Sequence, residues 1–212
     1  MNDKKIGIIG AGKLGLTLAQ LGVQAGYEVM IASSRAPEAI ALTVDVLAPG
    51  ALAVDTATLL SANETVILAL PLSKFSHLLD DSFSHKLVID AMNYWWEVDG
   101  QENNFSDGAS SSSEKVQQLL PDARVIKAFN HMGYHDLADE ARAKGEAKRK
   151  VIAFAGNDEA GIAQVTTMIE DFGFDPLFLG PLAEGIKLEP GSELFGANLE
   201  KAAFVSILQK MK

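Results

Sequence analysis

Residues 5–26 read KIGIIGAGKLGLTLAQLGVQAG, and the fold is decided by this stretch. Lys5 to Ile9 is a short apolar run with the length of a buried strand. Lys13 to Ala25 is nearly all apolar and is closed by Gly26, which predicts a helix. Between them lies Gly10-Ala11-Gly12-Lys13-Leu14-Gly15, a G-x-G-x-x-G. The pattern is weak by itself. Here it leaves a predicted strand and opens a predicted helix, which is the context in which it binds a dinucleotide. Gly10 permits the tight turn, Gly12 lets the backbone approach a pyrophosphate at the helix N-terminus, and Gly15 lets helix and strand pack closely.

The alternation continues outward from this turn. Strands are predicted over residues 28–32, 51–54, 65–70, 86–90 and 124–129. Helices are predicted over 36–46, from Asp55-Thr56 to Ala62, over 73–80, and over 114–120 with Ser113 as cap and Pro121 as stop. Apolar runs without clean alternation suit parallel strands covered on both faces. The β-α-β-α order predicts an α/β, Rossmann-type doubly wound, mostly parallel sheet. Residues 1–130 would form this nucleotide-binding domain. Residues 131–212 would form a small C-terminal α/β extension that completes a substrate cleft. Its predicted parts are a polar helix over 134–148, strands over 151–155 and 176–179, a helix over 158–172, and a last helix capped by Asn198. The polar stretch over 97–113 reads as a long surface loop.

Composition narrows the function classes. The chain has 212 residues, with 28 acidic against 18 basic side chains, and 48% of it is hydrophobic. This is a globular composition with an acidic surface, which argues against nucleic-acid and membrane-surface partners. There are no cysteines, so thiolate nucleophiles, disulfides and cysteine-based metal sites are excluded. Met1-Asn2-Asp3-Lys4-Lys5 leads straight into the first strand, which predicts no secretory leader. No apolar run approaches the roughly 18 residues of a membrane span. The expected location is the cytoplasm.

The second strand selects the dinucleotide. An NAD site usually carries an acidic residue there to hold the ribose hydroxyls. This strand ends in Ala32-Ser33-Ser34-Arg35, with no carboxylate. Arg35 can form charge-assisted bonds to a 2′-phosphate and the serines can donate more, so NADP is the expected cofactor. Three further loops follow strands, at Leu70-Pro71, at Asp90 to Trp96 and at Ala128 to Gly133. Leu70, Pro71 and Asn93 are expected beside the cofactor. Asn93, Asn130 and His131 are candidates for orienting the nicotinamide amide or a substrate, although no acid–base pair stands out as catalytic. Trp95 and Trp96 either stack on a flat substrate or anchor the loop. His131 and His135 are four apart, but Gly133 intervenes and no H-E-x-x-H is present, so no metal site is expected. Lys127 lies within a strand and needs a partner there. His77 and His85 read as surface residues.

With these residues in view, the sequence resembles the coenzyme F420-dependent NADP oxidoreductases. The resemblance rests on Ile6 to Gly15, Ser33-Ser34-Arg35, Asp90-Ala91-Met92-Asn93 and the serines before Glu114. It continues through Val125 to Asn130, Ala155 to Asp158 and Leu188-Glu189-Pro190-Gly191, nearly the whole chain. It implies a Rossmann fold with a small extension, often a homodimer, and hydride exchange between NADPH and a deazaflavin. One departure is plain: the family typically has proline after the asparagine that corresponds to Asn93, and Tyr94 stands here.

The expected function is therefore hydride transfer between NADPH and a small-molecule electron acceptor with a flat ring, of deazaflavin or flavin type. Such a reaction needs orientation more than a proton donor. The alternatives are reduction of a small imine or carbonyl compound, and a non-catalytic NADP(H) sensor. Large all-helical domains accompany imine and hydroxy-acid reductases of the 6-phosphogluconate-dehydrogenase type, and too few residues follow Asn130 for one. The apolar positions Leu199, Ala203, Phe204, Ile207 and Leu208 of the last helix need cover from the sheet or from a second subunit, which points to a homodimer.

Overall fold

A computed structural model describes residues 4–79, 81–100 and 110–211. The expectations for Met1 to Asp3, for the end of the helix at Asp80, and for residues 101–109 of the long loop lie outside the described residues, as does the side chain of Trp96. The first half alternates β1 (Lys5–Ile9), α1 (Lys13–Gln24), β2 (Glu28–Ala32), α2 (Pro37–Leu47), β3 (Leu52–Ala53), α3 (Thr56–Ala62) and β4 (Thr65–Leu68). It continues with α4 (Leu72–Phe75), β5 (Leu87–Asp90), α5 (Trp96–Asp99), α6 (Ser112–Leu119) and β6 (Arg124–Lys127). The remainder comprises α7 (Tyr134–Asp139), β7 (Val151–Gly156), α8 (Glu159–Asp171), β8 (Asp175–Phe178) and α9 (Lys201–Leu208).

The strands form one eight-stranded sheet in the order β3-β2-β1-β4-β5-β6-β7-β8. All pairs are parallel except β6 with β7, where Ile126 faces Gly156. The expected Rossmann-type sheet is therefore present. Successive residues of the central strands serve opposite faces, as the pleat requires. Ile6, Ile8, Ile67 and Ile89 enter one core, while Ile9, Val66, Leu68 and Val88 enter the other. Two covered faces explain why these strands are apolar throughout.

Several boundaries differ from the sequence expectation. Ser111, not Ser113, caps α6. Its side chain and that of Glu114 form a reciprocal capping box, and Ser-x-x-Glu spacing fits only Ser111. The helix expected over 134–148 ends at Asp139. Gly145 and Lys148 adopt left-handed φ values of 91° and 65°, which a helix excludes. Arg149 holds this connection, donating to the carbonyls of Arg142 and Phe174 and pairing with Asp175. Asn198 does not cap the last helix; Glu200 occupies that position, and Asn198 Oδ1 is buried without a partner. β4 and β6 end two residues early, β6 because Phe129 turns to a φ of 63°.

α9 packs on its own sheet. Phe204 is fully buried with Val151, Ala153 and Leu188, and Leu199, Ile207 and Leu208 lie partly buried beside it. Ala203, the remaining position of the apolar stripe, is exposed. Among the described residues no helix is long and apolar enough to cross a membrane.

Candidate functional site

The parallel register sets the site. Leu68 pairs with Asp90, and Asp90 with Lys127, so the loops that follow β4, β5 and β6 leave the same edge side by side. The order reverses between β1 and β4. Open α/β sheets bind ligands at such a switch point, outside the carboxyl ends of the strands.

The turn after β1 is held open by steric need. Gly10 has a φ of +122°, and a Cβ there would lie 2.1 Å from the carbonyl oxygen of Ala69. A Cβ on Gly15 would lie 1.8 Å from the Gly10 oxygen, which is how closely α1 packs on the turn. Gly12 is different. A Cβ there would meet nothing within 4 Å, so the protein itself does not require this glycine. Gly12 is also the N-cap of α1 and offers no side-chain cap, and no acidic residue occupies the first turn. The leading N–H groups of a twelve-residue helix therefore lack a capping side chain. These features fit a pyrophosphate.

A cavity of about 550 Å³ opens in front of this turn, within the range of cofactor sites. Gly10, Ala11, Gly12, Ser33, Ser34, Arg35, Leu70 and Pro71 all line it. The two sequence signals, one after β1 and one after β2, thus meet in one cleft. Ser33 Oγ accepts from the Arg35 backbone N–H at 3.1 Å and so shapes the turn, while Ser34 and Arg35 are exposed. Lys13, Leu14 and Gly15 lie behind the turn on α1. Lys13 Nζ donates to Tyr134 Oη at 2.9 Å, and this bond raises its pKa. Sequence reading missed Thr56, Lys74, His77 and Leu78, which line the same cleft. His77, read as an ordinary surface residue, is exposed but faces the cavity. No short motif marks these four; the start of α3 brings Thr56 there, and the segment after β4 brings the other three.

Beside the cleft, Asn93 and Asn130 form a pair. Asn93 Nδ2 donates to the Asn130 carbonyl at 2.8 Å, and Asn130 Nδ2 donates to Asn93 Oδ1 at 3.0 Å and to the Leu188 carbonyl at 2.8 Å. Asn130 is buried and its Oδ1 lacks a partner, whereas Asn93 is half-buried. Asn93 does not line the cleft described above. Lys127 supports the pair from below. Its fully buried Nζ donates to the Met92 carbonyl at 2.7 Å and to Ser112 Oγ at 3.2 Å, and pairs with Asp90 at 3.3 Å. Glu189 completes the cluster, with Oε1 accepting from Ser111 Oγ at 3.0 Å and from Ser112 N and Oγ, both at 2.8 Å. The Leu188-Glu189 segment is thereby tied to the ends of β5 and β6.

His131 faces the core. Its Nε2 accepts from the Ala153 N–H at 3.0 Å and its ring meets Phe204 edge to face. Burial lowers its pKa to about 4, so the imidazole is neutral at physiological pH and, being only 1% exposed, cannot reach a substrate. The expectation of His131 as an orienting or proton-donating group is corrected accordingly. His135 stacks on Tyr134, and among the described residues no group of three potential ligands could hold a metal ion. Trp95 is 44% exposed and meets Phe195 edge to face. Asp99 pins its loop, accepting from the Trp95 and Ser73 N–H groups at 2.8 Å each.

Residues 5–94 match the family described as NADP oxidoreductase, coenzyme F420-dependent. A comparison with curated proteins finds no match. Among solved structures, a hypothetical protein from Sinorhizobium meliloti is 31% identical with a TM-score of 0.79, over 93% of this chain and 95% of that one. A protein named as a candidate F420-dependent NADP-reductase, from Arthrobacter sp., is 25% identical with a TM-score of 0.71, over 85% and 86% of the two chains. An imine reductase from Bacillus cereus is 18% identical with a TM-score of 0.59. It is matched over 87% of this chain and 57% of its own, and it shares the fold alone.

Proposed function

We propose that this chain, which belongs to the coenzyme F420-dependent NADP oxidoreductase family, exchanges hydride between NADPH and a flat-ring acceptor of deazaflavin or flavin type. An NADP-dependent oxidoreductase is what the family establishes; the choice of NADP over NAD at this site and the ring acceptor are our reading. One observation carries it. The glycine turn and Ser33-Ser34-Arg35 share a single cleft in which, among the described residues, no carboxylate takes part.

When bound, the cofactor supplies the hydride. The protein supplies orientation. The N–H groups at the start of α1 would hold the pyrophosphate, and the open space at Gly12 would admit it. Arg35 and the Ser34 hydroxyl would bind the 2′-phosphate by charge-assisted hydrogen bonds. Asn93, held by Asn130, would orient the nicotinamide amide or the acceptor. Among the described residues, the titratable groups around the Asn93–Asn130 pair are engaged elsewhere. His131 is buried and neutral, and Lys127, Asp90 and Glu189 are bound to one another and to the serines. That favours a ring acceptor, which needs no proton donor fixed in the protein, over a small imine.

The test is NADPH oxidation against F420, flavins, quinones and small imines, with Arg35→Ala measured alongside. The expected result is turnover with a ring acceptor. Arg35→Ala should weaken NADPH binding by roughly 10- to 70-fold, an exposed charge-assisted contact being worth about 1.5–2.5 kcal/mol, and NADH binding hardly at all. Turnover confined to imines would overturn the acceptor. Equal wild-type affinity for NADPH and NADH would overturn the cofactor choice. NADPH binding with no turnover of any acceptor would leave a sensor.

A further inference from the structure

The charge around the cleft runs against that of the chain. The protein has a formal net charge of −10, yet the side chains facing the cavity include Arg35, Lys74 and His77. Among the described residues no Asp or Glu lines it. Arg35 comes from the loop after β2. Lys74 and His77 come from α4 and the single turn that follows it, after β4. Lys74 and His77 are exposed, and among the described residues neither Lys74 nor Arg35 is engaged by a carboxylate. In an acidic protein, two unpaired cations and an imidazole facing one cavity from two loops form a local positive field.

We infer that Lys74 and His77 are specificity-determining residues that close the 2′-phosphate site from the side opposite Arg35. Lys74 contributes a mobile ammonium and His77 an imidazole N–H donor. Both share the cavity with Thr56 and with Ser33 and Ser34, which follow β2, where the adenosine ribose belongs. The inference rests on the cofactor reading above and extends it, because a serine–arginine turn alone would leave the phosphate held from one side.

The test uses the intact protein and two ligands that differ only in the 2′-phosphate, 2′,5′-ADP and 5′-AMP, titrated by calorimetry. Lys74→Met keeps the apolar stem and removes the charge. It should weaken 2′,5′-ADP by roughly 5- to 20-fold and change 5′-AMP by less than about twofold. His77→Leu should show the same selectivity with a smaller loss, about two- to fivefold. Lys74→Arg and His77→Gln, which keep donors, should recover most of the affinity. Equal losses for both ligands in Lys74→Met would overturn the inference, since the ammonium would then serve the 5′-phosphate. So would unchanged binding in Lys74→Met while Arg35→Ala loses 2′,5′-ADP, an outcome that leaves the cofactor reading standing. A wild type that fails to distinguish the two ligands would overturn the cofactor reading itself.

Discussion

Asn93 and Asn130 hold each other across the carboxyl ends of β5 and β6, each donating one amide hydrogen to the other residue at 2.8 and 3.0 Å. The two lie 37 positions apart in sequence. Adjacent parallel strands bring them together, because Asp90 and Lys127 are in register just before the two loops. The pair makes the half-buried Asn93 a pre-oriented amide and assigns the buried Asn130 to support.

The two asparagines should therefore respond differently. Asn130→Ala removes donors to Asn93 and to the Leu188 carbonyl, and should cost about 1–3 kcal/mol of stability in urea unfolding. Asn93→Ala should cost less stability but lower kcat/KM by roughly 10-fold or more, with the dissociation constant of NADPH little changed. Equal stability losses with unchanged turnover would make both residues purely structural.

The glycines of the first turn should separate folding from binding. Gly15→Ala drives a Cβ into the Gly10 carbonyl and should destabilise by about 3 kcal/mol or more. Gly12→Ala meets open space and should cost under about 1 kcal/mol. It should nevertheless weaken NADPH by about 10-fold, because the methyl group would occupy the pyrophosphate approach. Thermal melting with and without NADPH reads both effects.

His131 links stability to acid pH. Its folded pKa of about 4 lies below the ordinary 6.5, so between these values the unfolded chain binds a proton that the folded chain refuses. The contribution of His131 to stability is then fully present above about pH 6.5 and falls as pH drops toward 4, by about 3 kcal/mol in all. Gln retains an acceptor for the Ala153 N–H without titrating. The stability difference between wild type and His131→Gln should therefore shift by that amount across this range. A constant difference from pH 7 to 4 would mean that the imidazole becomes charged in place.

Lys127 stands between the fully buried Asp90, at 3.3 Å, and the partly buried Glu189, at 3.9 Å. Lys127→Met would leave both acids without their cation and should cost about 3–5 kcal/mol in urea unfolding. Adding Asp90→Asn should recover part of that loss, since the buried charge is then removed as well. No recovery would indicate that the lost donation to the Met92 carbonyl dominates.

The sequence by itself determined the alternation of strands and helices, the turn at Gly10 to Gly15 and the cofactor signature at Ser33 to Arg35. Each of these is a local signal: a short apolar run, a cap, a glycine spacing, or a charge at the end of a strand. The reciprocal box that starts α6 stands in the sequence at Ser111 and Glu114, but the run of serines before Glu114 points to Ser113 instead. The irregular connection after Asp139 was not legible, because Arg149 ties it to the carbonyls of Glu170 and Phe174, more than twenty positions away. Only the tertiary structure decided that His131 turns inward against Phe204, that Lys127 finds its carboxylates in Asp90 and Glu189, and that Lys74 and His77 face the same cavity as Arg35. A side chain on a loop has no periodicity to declare its direction. Its direction follows from which strands pair and in what register, and that pairing is settled by long-range packing of the sheet.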